Sequence, residues 1–277
     1  MGEIMISESA IMRKNLTYDF EIFDFHCHPF YDSNENICVY TEAVNTREGF
    51  IAAMDFAGIG GFAGSVIYRN AITPESFDEI HALNLHALEL EKLWGGRYVP
   101  GIHIHPDFVR ESCEELEAMK KAGVRLVGEL VPYRVASVGY SDPAQAEILR
   151  LAGELGMVVS CHSAGMEDLE KAVAACPGTI FVNAHPGEYK EYSEKLSIMK
   201  RYPNLYLDVC GTGLFRYGML KHGVDMLGAE RFLFGTDFPV CNAAMQVTGV
   251  LSEPLSDADF ELIFAENAKR LLGIGRN

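Results

Sequence analysis

Residues 21–30 read Glu-Ile-Phe-Asp-Phe-His-Cys-His-Pro-Phe (EIFDFHCHPF), and the fold turns on how this stretch ends. Its first five residues are mostly apolar and aromatic or branched, the composition of a strand. A doubly wound open sheet usually follows its first strand with a glycine-rich phosphate-binding turn. Here the strand runs instead into His26-Cys27-His28, an imidazole pair whose two rings share one face while Cys27 takes the other. That ending suits a closed α/β barrel, in which residues from the carboxyl ends of several strands converge on one site.

Outward from this stretch the chain alternates. Strands are predicted over 61–68, 98–104, 124–131, 157–160, 179–183, 205–209 and 231–234, and helices over 47–57, 76–93, 110–122, 142–155, 166–175, 189–201 and 214–227. Helix 110–122 carries Glu111, Glu114 and Glu115 early and Lys120 and Lys121 late, which suits the helix dipole, and Gly123 marks its stop. A closing helix from Ser256 to Gly273 shows Phe260, Ile263, Phe264, Ala268, Leu271 and Leu272 at helical spacing, with Ser256 and Asp259 available to cap its start. Strict βα alternation means a parallel sheet, and eight such units predict a single-domain (β/α)8 TIM barrel behind an N-terminal extension over 1–20.

Bulk properties agree. A chain of 277 residues is ordinary for one barrel, and 48% apolar with 22% charged residues is the balance of a globular protein. No apolar run approaches the ~20 residues of a spanning helix, and the first twenty residues lack the basic start and apolar block of an export signal. Neither membrane nor nucleic acid is an expected partner, since a net charge of −16 opposes binding to phosphates. The seven cysteines are scattered singly with no CxxC pair, which predicts a reducing, cytoplasmic setting rather than a disulfide framework.

The strand ends carry the chemistry. Glu129 lies in VGEL at the end of the fourth strand, where an acid among apolar residues needs a partner, either a cation or Arg125 or Arg134. His162 follows the fifth strand and His185 the sixth; Asp237 follows the eighth, where a loop-capping aspartate is the plain alternative. Each residue alone has a structural explanation. Together His26, His28, Glu129, His162, His185 and Asp237, all at the same end of a barrel, form a donor set for zinc or a similar divalent metal. A second HxH, His103-Ile104-His105, ends the third strand and is a candidate for substrate contact or support. Arg69, Tyr133, Arg134 and Arg216 sit just beyond strand ends as candidates for gripping an anionic small-molecule substrate.

FHCHPF, CHSAG, NAHPGE and FGTDFP, in this order, resemble the amidohydrolase superfamily, and more closely its amidohydrolase-related branch of metal-dependent hydrolases and decarboxylases. The terminal ENAKRLLG is similar to that family's closing helix, so the resemblance runs from about His26 to Gly273. It implies metal ligands at His26, His28, His162 and Asp237, with His185 as a second-metal ligand or substrate-polarising group. Glu129 stands where two-metal members often carry a carboxylated lysine, and is similar to the bridging glutamate of TatD-type hydrolases and phosphotriesterase-like lactonases. The resemblance therefore implies an enzyme with one or two cations, two being favoured, that activates water to cleave an amide, lactone or ester, with Asp237 as proton acceptor. The alternative is a one-metal non-oxidative decarboxylase on the same barrel. Self-association is common among such barrels and is expected as an option here.

Overall fold

The computed structural model describes residues 18–38, 44–162, 165–213 and 216–275. The start of the expected N-terminal extension, Ser163 and Ala164 of the CHSAG motif, and the first two residues of the expected 214–227 helix lie outside the described residues. Eight parallel strands pair in chain order: β1 (Phe23–Cys27), β2 (Gly61–Ser65), β3 (Tyr98–Ile102), β4 (Leu126–Leu130), β5 (Val158–Cys161), β6 (Ile180–Asn183), β7 (Leu205–Asp208) and β8 (Phe232–Leu233). Phe25 N–H donates to Phe234 O (2.9 Å) and His28 N–H to Phe238 O (2.7 Å), closing the sheet on itself. The result is the expected single-domain (β/α)8 barrel.

The helices that wrap the sheet are α1 (Arg47–Phe56), α2 (Phe77–Trp94), α3 (Val109–Lys121), α4 (Pro143–Glu154), α5 (Met166–Ala175), α6 (Tyr189–Arg201) and α7 (Met219–Leu227). After β8 come α8 (Ala243–Leu251), α9 (Asp257–Glu261), a π-helical turn over Leu262–Glu266 and α10 (Asn267–Leu272). Local chemistry explains the helix starts. Thr46 accepts Gly49 N–H at α1, Asp142 accepts Ala144 N–H ahead of Pro143 at α4, and Ser256 and Asp259 form the expected capping box at α9. None of the described helices is long and apolar enough to cross a membrane.

Several expected boundaries move. β1 begins two residues later than expected and includes His26 and Cys27, with a register shift between Asp24 and Cys27 against β2. β2 and β3 stop short of the expected residues 68 and 104, so Tyr68 and His103 to His105 belong to loops. The single closing helix is divided by the π-helical turn, and α8 is an element that the alternation pattern did not predict.

The strands are sandwiched by apolar surface. The larger cluster joins the sheet to the helices through residues such as Phe50, Phe62, Leu83, Leu116, Ile148, Phe181, Leu207 and Phe234. A smaller cluster packs Phe23, Phe25, Ala63, Leu126, Val158, Val182 and Leu233 against Ala265, Ala268 and Leu272 of the closing segment. With both faces of each strand covered, polar side chains enter this framework only where they find partners, and the strand ends supply them.

Candidate metal centre

The six strand-end residues fall into two groups that share Glu129. His26 and His28 leave β1 with their Nε2 atoms 3.2 Å apart. Glu129 Oε2 lies 3.4 Å from His26 Nε2 and 3.3 Å from His28 Nε2. Asp237 Oδ1 lies 4.0 and 3.5 Å from the same two nitrogens. The other oxygen of Glu129, Oε1, faces away to His162 Nδ1 at 2.9 Å and His185 Nε2 at 3.5 Å. Among the described residues, no ion pair joins Glu129 to Arg125 or Arg134.

The backs of the β1 rings decide what their fronts can do. His26 Nδ1 is 2.9 Å from Asp208 Oδ2, and His28 Nδ1 is 3.1 Å from Ser65 O. A carboxylate and a carbonyl accept and cannot donate, so in the neutral rings both protons sit on Nδ1 and both Nε2 atoms present lone pairs. Two lone pairs and two carboxylate oxygens at this spacing repel one another unless a positive charge lies among them. Four donors about 2.1 Å from one cation in a tetrahedron are roughly 3.4 Å apart, close to the separations found. The residues therefore fit a divalent cation at His26, His28, Glu129 and Asp237, and the Glu129, His162 and His185 group supplies a second donor set.

The electrostatics favour the same conclusion. Burial would push the Glu129 carboxyl up, but His26, His162 and His185 around it hold it well below the usual range. Burial alone would lower His26, yet Cys210, Glu129 and Asp208 raise its proton affinity well above normal. Burial likewise raises Asp237, and it lifts Asp24, hydrogen-bonded to Thr236, to about 7. A buried pocket of acids that draws protons onto its histidines also draws a metal cation.

Exposure is graded across the site. The His26, His28 and Glu129 side chains are no more than 4% exposed, whereas Asp237 is 12%, His185 16% and His162 26% exposed. His185 and Asp237 also take left-handed backbone conformations, φ +63 and +59, which cost most residues of order 1–3 kcal/mol and persist where surroundings enforce them. Asp237 N–H donates to His26 O (2.8 Å), tying β8's loop to β1. Gly211 is left-handed too (φ +61), and a Cβ there would come within 2.4 Å of His185 Nδ1 and 3.2 Å of Asp237 Oδ2.

Two residues that the sequence reading passed over support the centre. Asp208, wholly buried at the end of β7, binds His26 Nδ1 through Oδ2 and accepts the His185 N–H (3.1 Å) and Cys210 N–H (3.3 Å) through Oδ1. Cys210 Sγ then sits 3.2 Å from His185 Nδ1. Asp208 is an acid closing an apolar strand, the same signal that singled out Glu129, so the rule could have found it.

The candidate substrate residues are less concentrated. Tyr133, 64% exposed, presents its ring edge-on to His162 with centroids 5.4 Å apart. Arg134 Nη1 donates to Arg69 O (2.6 Å), so this pair ties two loops together, and Arg216 is paired with Glu188. His105 is buried, its Nε2 against Val135 O (2.9 Å) and its Nδ1 accepting Asp107 N–H. His103 donates to Val66 O (2.7 Å), and burial lowers it to about 4. The second HxH is thus tied to loop backbone, outside the group formed by the first.

A family model described as amidohydrolase matches residues 23–274. The chain belongs to the amidohydrolase family. No curated protein matches the sequence. Among solved structures, 2,6-dihydroxybenzoate decarboxylase from Rhizobium is similar at TM-score 0.73 and 15% identity, over 92% of this chain and 99% of that one. 5-Carboxyvanillate decarboxylase from Novosphingobium aromaticivorans, complexed with manganese, is similar at TM-score 0.72 and 12% identity, over 92% and 96%. A probable 2-pyrone-4,6-dicarboxylic acid hydrolase from Acinetobacter baumannii is similar at TM-score 0.63 and 15% identity, over 92% and 100%. At such identities the shared feature is the barrel of this amidohydrolase-family chain.

Proposed function

We propose that this amidohydrolase-family protein is a divalent-cation-dependent hydrolase that cleaves an amide, lactone or ester bond in a small molecule. The observation that carries the reading is the division of the Glu129 carboxylate, one oxygen toward His26 and His28 and the other toward His162 and His185. On this reading His26, His28 and Asp237 would hold one cation and His162 and His185 a second, with Glu129 available to both, and the mixed nitrogen and oxygen donors suit zinc. A divalent cation held there would supply Lewis acidity, acidifying water and polarising the oxygen of the scissile bond.

The chain's own groups supply the rest. Asp237, partly open and aligned by its bond to His26 O, accepts the proton of the attacking water and returns it to the leaving group. His185, steadied by Asp208 and Cys210, would complete the second donor set beside Glu129 and His162. Tyr133 stands beside His162 as a wall for the substrate.

A second reading is favoured by the similarity to two decarboxylases. It is a lyase with one cation at His26, His28, His162 and Asp237, in which Glu129 has no bridging task. Here His162 sides with Glu129 and His185 rather than with the β1 pair, which supports the first reading. Elemental analysis and a turnover panel separate the two. Two metals per chain and hydrolysis of lactones, esters or amides, with Glu129→Gln losing one metal and at least tenfold in rate, is expected. One metal per chain, with carbon dioxide released from carboxylated substrates and Glu129→Gln as active as wild type, would establish the lyase.

A further inference from the structure

His185 holds a left-handed backbone, and something must keep it there. Its amide is taken by Asp208 Oδ1 from β7, and its carbonyl by a lysine. Lys195, on the inner face of α6, is 1% exposed. Its Nζ lies 2.6 Å from His185 O, 3.2 Å from Ala184 O and 2.8 Å from Glu191 Oε1, so all three ammonium protons have acceptors. A buried lysine is costly, and here its charge is spent on two consecutive carbonyls of the β6 exit and one carboxylate.

We propose that Lys195 is a positioning residue. Its ammonium pins the turn at Ala184 and His185, through the carbonyls of both, in the conformation that aims His185 Nε2 at Glu129. Released from it, the His185 peptide relaxes to an ordinary φ and the ring swings off both Cys210 Sγ and Glu129 Oε1. The effect is selective for His185 over His28, whose ring is held by Ser65 O, whereas His26 shares Asp208 with the His185 amide. The inference rests on His185 being a site residue, as the proposed function has it.

The test uses the full chain labelled with 15N-histidine, in wild-type, Lys195→Met and Tyr192→Phe forms. Tyr192 is also buried on α6 and reports what a merely structural change does. In Lys195→Met the His185 ring nitrogen signals are expected to move or double while those of His28 stay in place, and Tyr192→Phe leaves both unchanged. In Co2+ titrations of the same proteins, Lys195→Met weakens the second equivalent at least tenfold and the first less than threefold. A folded Lys195→Met with unmoved His185 signals, or signals that move equally in Tyr192→Phe, overturns the proposal. Should Lys195→Met fail to fold, Lys195→Gln, shorter and uncharged and so unable to hold both carbonyls as the ammonium does, is read the same way: shifted His185 signals support the proposal and unshifted ones overturn it. A wild type that takes a single Co2+ refutes the two-cation reading alone, since the ring signals still decide the role of Lys195.

Discussion

Replacing Asp208 by asparagine changes one atom's chemistry with almost no change in shape, and the geometry says what must follow. Oδ1 accepts two backbone N–H groups, from His185 and Cys210, so the single oxygen of an asparagine is required on that side. The amide nitrogen then faces His26 Nδ1, 2.9 Å from the replaced Oδ2, and it can only donate. His26 answers by moving its proton to Nε2, the atom that lies 3.2 Å from His28 Nε2 and 3.4 Å from Glu129 Oε2. A ring protonated there cannot ligate. The opposite amide rotamer sets an NH2 against two N–H donors, each left unsatisfied at about 1–3 kcal/mol. Either route costs more than the loss of an ordinary supporting contact, usually about 10–100-fold in metal affinity, so a weakening of at least about 100-fold is expected. Competition against a chromophoric chelator measures it on metal-free protein. Asp208→Ala, which leaves Nδ1 facing no donor, loses less than Asp208→Asn despite the larger truncation. An asparagine variant that binds its first cation within threefold of wild type, or better than the alanine variant, would refute the tautomer argument.

Gly211→Ala places a methyl 2.4 Å from His185 Nδ1 at a left-handed position, and left-handed strain plus overpacking of roughly 2–4 kcal/mol should lower Tm by on the order of 10 °C in calorimetry; an unchanged Tm would show that the loop is free to yield. Asp237→Asn keeps volume but removes the proton acceptor, so turnover should fall about 10²–10⁴-fold while circular dichroism is unchanged, and wild-type rates would remove Asp237 from the mechanism. Tyr133→Ala removes an exposed aromatic wall beside His162, and loss of about 0.5–1.5 kcal/mol of aromatic contact should raise KM about 2–12-fold with kcat held; a loss in kcat alone would point to a different task.

The barrel was legible because its two periods are strong and its connections short. Strand interiors buried on both faces read as apolar runs, and helices such as α3 declared themselves by charge order and a following glycine. What escaped had local chemistry at odds with its final state. α8 contains Val247, Thr248, Gly249 and Val250, residues of modest helix propensity, and is held instead by the Asn242 cap and by burial of Val247, Val250 and Leu251. β8 spans just two residues, and beyond it Gly235 passes close to His26 and Cys210, where a Cβ would meet theirs at 2.8 and 3.0 Å. At the site, the six candidates stood out because each polar residue ended an apolar run. Asp208 carried the same signal as Glu129, an acid near the end of an expected apolar strand, but no motif of the family resemblance covers it. For Arg134 and Arg216 the sequence holds no hint of whether a carbonyl or an acid lies in reach; the structure pairs them with Arg69 O and Glu188.

The burial gradient separates the work of the six residues. His26, His28 and Glu129 are sealed beneath the strand ends and backed by Asp208 and Ser65, so they can fix charge but cannot reach a substrate. His162, His185 and Asp237 are the open edge of the same cluster, and Tyr133 borders that edge. Bond cleavage by water and loss of carbon dioxide both need a held cation behind and a movable proton in front, so the sealed half serves either reaction equally. The choice between them falls to the open half, and Glu129 is the residue that joins the halves. With its second oxygen toward His162 and His185, Glu129 would draw those two rings to a cation instead of leaving them free for a substrate carboxylate, and that is the ground on which we propose hydrolysis.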